Sequence, residues 1–185
     1  GCRVGEPGVY VSFAESKKTL IENVSRHIGV DLGGLVDEGK LKILDFTAVR
    51  EKGVSDVLNF VLDEVRAVKA KRLVIDSFSA MAQAFESPID VRIVVHLVLS
   101  QIVRAMGCTT LMIEEVPIGK TGISFGVEEF VADGIILLRS NELEGYPFRD
   151  LEIVKLRGVR LGQRKLVYTL EGGFKVYPQL KFKPI

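Results

Sequence analysis

Short β-branched runs alternating with longer amphipathic stretches constrain this chain more than any other feature. Gly8–Phe13, Leu41–Phe46, Arg72–Asp76, Thr109–Ile113 and Gly134–Leu138 are apolar runs of strand length. Between the first two, Ser16 to Gly29 carries Leu20, Val24 and Ile28 at helical spacing beside Ile21, with Ser16 placed to cap. Val54 to Ala70 puts Val54, Val57, Leu58, Val61, Leu62, Val65 and Val68 on one helix face. Ile89 to Met106 reads as a further helix, entered from Pro88 and ended by Gly107. Strands that are apolar along both faces and alternate with helices imply a parallel sheet covered on both sides. Beyond Asp150 the pattern changes. Leu151–Leu156, Lys165–Leu170 and Phe174–Tyr177 read as antiparallel strands, expected to extend the sheet as hairpins. The 185 residues suffice for a proper core and show no repeat, low-complexity tract or linker, so a single α/β domain over residues 1–185 is expected.

Composition narrows the partners. With 25 basic and 24 acidic residues, bulk charge holds the chain to neither nucleic acid nor membrane. No apolar run approaches the ~18 residues of a membrane span, and no apolar signal segment follows Gly1-Cys2-Arg3. Two cysteines, Cys2 and Cys108, fit a reduced, cytoplasmic protein. Scarce Asn and Gln beside abundant Lys, Glu and Val lean toward a thermophilic source.

In an open α/β sheet, ligands bind beyond the carboxyl ends of the strands. The residues there are Ala14-Glu15-Ser16, Asp76-Ser77 and Glu114-Glu115. An aspartate at the tip of an apolar strand can hold Mg²⁺ through water in the Walker B manner, or it can cap the next helix. Glu15, ending the first strand, can polarise a water for attack on a phosphate, or it can be a solvated first-turn glutamate. Lys155 and Arg157 share a face by strand periodicity, which suits an anion or a charged, aggregation-resistant edge. Gly119-Lys120-Thr121 is not a P-loop, because Glu114 stands where that pattern needs glycine. His27 and His96 read as core or half-buried residues, and Glu128-Glu129 as a turn before a strand. No CxxC or HExxH occurs.

Taken together, four segments resemble KaiC-like ATPases of the RecA superfamily. Gly5–Ser16 resembles the strand after the P-loop helix, and Leu73–Ser77 resembles the Walker B strand. Phe125–Leu138 resembles a stretch typical of archaeal KaiC-like proteins, and Leu151–Gly158 resembles the K-x-R-G strand. The resemblance implies a RecA-like P-loop NTPase core with a mostly parallel sheet, flanking helices and antiparallel C-terminal strands. It implies a homo-oligomeric ring, often a hexamer, with ATP between neighbouring subunits. Asp76, with Ser77 beside it, would order Mg²⁺ at the nucleotide. Glu15 would act as general base, and Lys155 and Arg157 would reach the γ-phosphate of the neighbour's ATP. The family's first strand, Walker A loop and P-loop helix are expected to precede Gly1, so a chain with these residues alone is expected to bind ATP poorly.

Two departures bear on biology. Ala14-Glu15 stands where KaiC proper usually carries paired glutamates, a loss that RecA-type enzymes with a single glutamate tolerate; Leu161 stands where clock proteins commonly carry histidine, which points away from clock and autokinase roles. The other functions weighed are a non-catalytic module for single-stranded DNA or a signalling protein, and a subunit lending Lys155 and Arg157 to a partner. The Glu114–Gly126 loop offers one lysine and one aromatic, Phe125, which is poor material for stacking on single strands.

Overall fold

A computed structural model describes residues 1–48, 54–82, 106–116, 132–143, 145–162 and 165–178. Two compact units result, residues 1–131 and residues 132–185. Most of the Ile89–Met106 helix, His96, Gly119-Lys120-Thr121 and Glu128-Glu129 lie outside the described residues, as does much of the Glu114–Gly126 loop.

The first unit is built on a parallel sheet. Strands β1 (Gly8–Ser12), β2 (Leu41–Asp45), β3 (Arg72–Asp76) and β4 (Thr109–Met112) pair in the order β2-β1-β3-β4. Helix α1 (Lys17–Ile28) starts where the sequence places it: the Ser16 hydroxyl accepts from the Thr19 N–H at 3.2 Å. It ends at Gly29, whose φ of 67° suits a residue without Cβ. A short α2 (Leu32–Asp37) follows, capped by Asp31 through the Gly34 N–H at 2.9 Å. Helix α3 (Val54–Ala67) stops three residues short of the sequence-based end at Ala70.

Strand alternation sends Val9, Val11, Leu44, Leu73 and Ile75 into one core with Val57, Leu58, Val61, Leu62 and Val65 of α3. Phe46 joins this core, stacked on Phe13 at 5.4 Å and edge-on to Phe60 at 6.0 Å. The other sheet face carries Tyr10, Ile43, Val74 and Asp76, with Leu20 of α1 buried near it. Chain entry into the sheet is tied by Arg72, whose guanidinium meets Glu6 at 2.7 Å.

The second unit is antiparallel: β5 (Gly134–Leu143), β6 (Tyr146–Leu156), β7 (Lys165–Thr169) and β8 (Lys175–Pro178), paired in that order. The hairpins expected to prolong the parallel sheet therefore form a sheet of their own, and β5 pairs with β6 within it. Strands β5 and β6 are longer than their apolar runs because polar residues pair across them. Arg139 bonds Glu152 at 2.5 Å and lies 3.7 Å from Asp150, which also accepts from the Asn141 amide.

Asp45 links strand to helix. Its carboxylate accepts from the Lys17 N–H at 2.8 Å and from the Thr47 hydroxyl at 2.6 Å. The hydrogen bond from Thr47, then that from Lys17, holds its pKa below the usual carboxylate range. A depressed folded pKa adds stability above the unfolded value, and that stability is lost as pH falls through the folded one. Asp45→Ala should therefore lower stability at neutral pH, and the gap from the natural chain should narrow below pH ~4, read by urea unfolding at several pH values.

Candidate active site

The order β2-β1-β3-β4 reverses direction at β1 and β3, because the chain runs from β1 to one side and from β3 to the other. Crevices at such switch points, beyond the carboxyl ends, are where open α/β sheets bind ligands. The in-register pairing of Ser12 with Asp76 brings both strands to a common end, and β1 continues directly to Glu15.

Backbone bonds lock these ends together. The Phe13 N–H donates to the Asp76 carbonyl at 2.7 Å, and the Phe46 N–H donates to the Ser12 carbonyl at 2.9 Å. The Ser12 side chain, 2% exposed, donates to the Glu15 carbonyl at 2.6 Å and accepts from the Glu15 N–H at 3.2 Å. A buried hydroxyl thus fixes the backbone of Glu15 while its carboxylate stays exposed. At the neighbouring strand ends, the Phe78 N–H donates to the Ile113 carbonyl at 2.7 Å. The Glu115 N–H reaches the Ser79 hydroxyl at 2.8 Å.

Asp76 is half-buried and accepts a hydrogen bond from the Tyr10 hydroxyl. Burial, then the bond to Asp76, then the charges of Asp76 and Glu15, push the Tyr10 phenol above its ordinary value of 10.0. Tyr10 thus stays protonated and donating, within the field of both carboxylates. The helix-capping role weighed for Asp76 falls instead to Ser77. That residue is fully buried, and its hydroxyl accepts from the Ala80 N–H at 3.2 Å, ahead of α4 (Phe78–Ala82). The Asp76–Ser77 peptide bond is cis.

The paired strand ends therefore bring Asp76 and Ser77 beside the segment that leads from β1 to Glu15, with two residues that strand reading alone did not single out, Tyr10 and Ser12. Lys155 and Arg157 lie in the second unit, on β6 and just beyond it. Arg157 meets Asp133 at 3.1 Å. His27 is exposed rather than buried, its Nδ1 2.7 Å from the Asn23 carbonyl oxygen. No cluster of three metal-ligating side chains occurs among the described residues.

Comparison with known proteins decides the family. The family description "ATPase: KaiC" matches residues 1–181. The chain belongs to the KaiC ATPase family. It is 33% identical over 183 residues to the circadian clock oscillator protein KaiC of Thermostichus vulcanus, covering 94% of this chain and 35% of that protein. It is 35% identical over 187 residues to KaiC of Synechococcus elongatus, again covering 94% of this chain and 35% of that protein. The chain thus spans about a third of the length of these KaiC relatives. The crystal structure of a KaiC-like protein from the hyperthermophilic archaeon Pyrococcus horikoshii superposes with a TM-score of 0.81 at 34% identity, covering 95% of this chain and 77% of that one. The fold is the RecA-like fold of the KaiC family. None of the described helices is long and apolar enough to cross a membrane.

If Tyr10 donates to Asp76 as described, Tyr10→Phe should cost about 1 kcal/mol. The phenolate absorbance attributable to Tyr10, natural chain minus Tyr10→Phe, should rise only above pH 10. Because the folded pKa is the raised one, the stabilisation is complete below the unfolded pKa and is lost as pH climbs through the folded value. A difference spectrum that titrates below pH 10 would contradict the assignment.

Proposed function

We propose that this chain is the ATP-binding and hydrolysing module of a ring-forming KaiC-like protein, with the γ-phosphate at the carboxyl ends of β1 and β3. One observation carries the reading: in-register pairing of Ser12 with Asp76 brings the Asp76 carboxylate, which accepts from the Tyr10 hydroxyl, to the end of β1, three residues before Glu15. Family membership supports nucleotide as the ligand.

The donor set fits Mg²⁺. That ion usually takes one or two carboxylates and fills its shell with water and substrate phosphates. Asp76, a carboxylate oriented by the Tyr10 hydroxyl, suits that coordination. When bound, Mg²⁺ would supply charge neutralisation at the β- and γ-phosphates, held through water by Asp76. Ser77 supports that corner by starting α4.

Glu15 is the general base. Its backbone is held by Ser12 while its carboxylate faces solvent, so it can orient a water and accept a proton as the oxygen bonds to phosphorus. The bond to the ADP oxygen breaks, giving ADP and phosphate. Lys155 and Arg157, carried by a neighbouring copy in a homo-oligomeric ring, most simply a hexamer, offset the charge on the transferring oxygens. Any nucleotide site in the ring is thereby completed by a second subunit.

Glu15→Gln in the natural full-length protein tests this reading. Steady-state ATP turnover should fall by about 10²–10⁴-fold, while ATP affinity measured by equilibrium binding stays unchanged. Turnover at the natural rate would remove Glu15 from the chemistry.

A further inference from the structure

A register break in the β5–β6 hairpin bears on how the Lys155/Arg157 pair is aimed. Along most of the hairpin, Leu137 faces Glu152 and Arg139 faces Asp150. Between Ile135 and Ile136 the register shifts: Ile136 faces Ile153, whereas Ile135 faces Lys155. Val154 is thus an extra residue, a β-bulge in β6. Bulges bend the strand and redirect the side chains that follow them.

The bulge decides which face the cations occupy. Had the ladder run on unbroken from Ile136–Ile153, Ile135 would face Val154 and Asp133 would face Leu156. Lys155 and Arg157 would then lie on the face of Leu138 and Leu151. With the bulge, Lys155 stands opposite Ile135 and Arg157 falls opposite Asp133. Asp133, Leu137, Arg139, Asp150, Glu152, Lys155 and Arg157 then share one face, although Glu152 and Lys155 are three positions apart in a strand.

Asp133 holds Arg157 twice. The Arg157 N–H donates to the Asp133 carbonyl at 2.7 Å, and an Arg157 guanidinium nitrogen donates to Asp133 Oδ1 at 3.1 Å. The side chains are 44% and 68% exposed, and ion pairs that exposed contribute little to stability. A doubly bonded pair of small energetic worth, immediately before a glycine at φ 74° where the strand ends, is better suited to direction than to stability.

We infer that Asp133, brought into register by the Val154 bulge, is the positioning residue that aims Arg157 at the phosphate of a neighbouring subunit's nucleotide. This rests on the reading of Arg157 given above. Asp133 touches neither nucleotide nor metal. It acts by limiting the directions open to the guanidinium through the contact with Asp133 Oδ1.

The test is a double-mutant cycle on ATP turnover in the natural full-length protein, with Asp133→Ala, Arg157→Ala and both together. Misplacing a reacting group by ~1 Å costs about 10²-fold. Asp133→Ala is therefore expected to lower kcat at least about tenfold, with KM changed by less than about twofold. The double variant should be no slower than Arg157→Ala, and Asp133→Asn, which keeps an oxygen acceptor, should recover part of the rate. Should Asp133→Ala fail to fold, Asp133→Asn replaces it in the cycle and is expected to lose a smaller share of kcat. A slow Arg157→Ala beside a full-rate Asp133 variant overturns the inference and leaves the Arg157 reading standing. Losses that multiply in the double variant overturn it as well, because Asp133 would then act independently of Arg157. A full-rate Arg157→Ala overturns both readings.

Discussion

Parallel pairing of β1 with β3 is the contact on which the rest of the first unit depends. Each strand is apolar on the face toward α3, where Val9, Val11, Leu73 and Ile75 are nearly inaccessible. A one-residue slip would move those side chains to the opposite face, so burial fixes the register tightly. The same register places Ser12 beside Asp76 and Tyr10 beside Val74, and so brings the Tyr10 hydroxyl to the Asp76 carboxylate. The Tyr10–Asp76 contact is thus a consequence of the apolar core: the polar side chains at the strand ends are held by the apolar ones.

Strands and helices with strong period were legible before any coordinates. The cap at Ser16, the stop at Gly29 and the buried stripe of α3 follow from local rules and stand in the structure. Helix α2 was not legible, because Leu32–Asp37 contains Gly33 and Gly34 and depends on the Asp31 cap rather than on propensity. Strands β5 and β6 extend past the apolar runs Gly134–Leu138 and Leu151–Leu156, because Arg139, Asn141 and Asp150 bound those runs. Those residues are compatible with strand because they bond to one another across the hairpin.

The candidate site divides along the same line. Glu15 and Asp76 were visible as carboxylates at strand tips, and Lys155 and Arg157 as same-face cations. Tyr10 and Ser12 looked like ordinary strand residues, since their roles arise from partners far along the chain or from a buried turn. The bulge at Val154 leaves no trace in periodicity: Leu151 to Leu156 reads as a straight strand, and only pairing with β5 reveals the extra residue. Aim, as opposed to identity, is a tertiary property of these cations.

Under the function proposed above, Asp76 orients the metal of a bound nucleotide at the end of β3. Mn²⁺ affinity in the presence of ATP, followed by electron paramagnetic resonance on the natural full-length protein and on Asp76→Asn, tests it most directly. Loss of a group that orients metal ligands typically costs about 10–100-fold in metal affinity. A loss in that range is expected for Asp76→Asn, with metal-free ATP binding no weaker than in the natural protein. Equal Mn²⁺ affinity in the two proteins would contradict it.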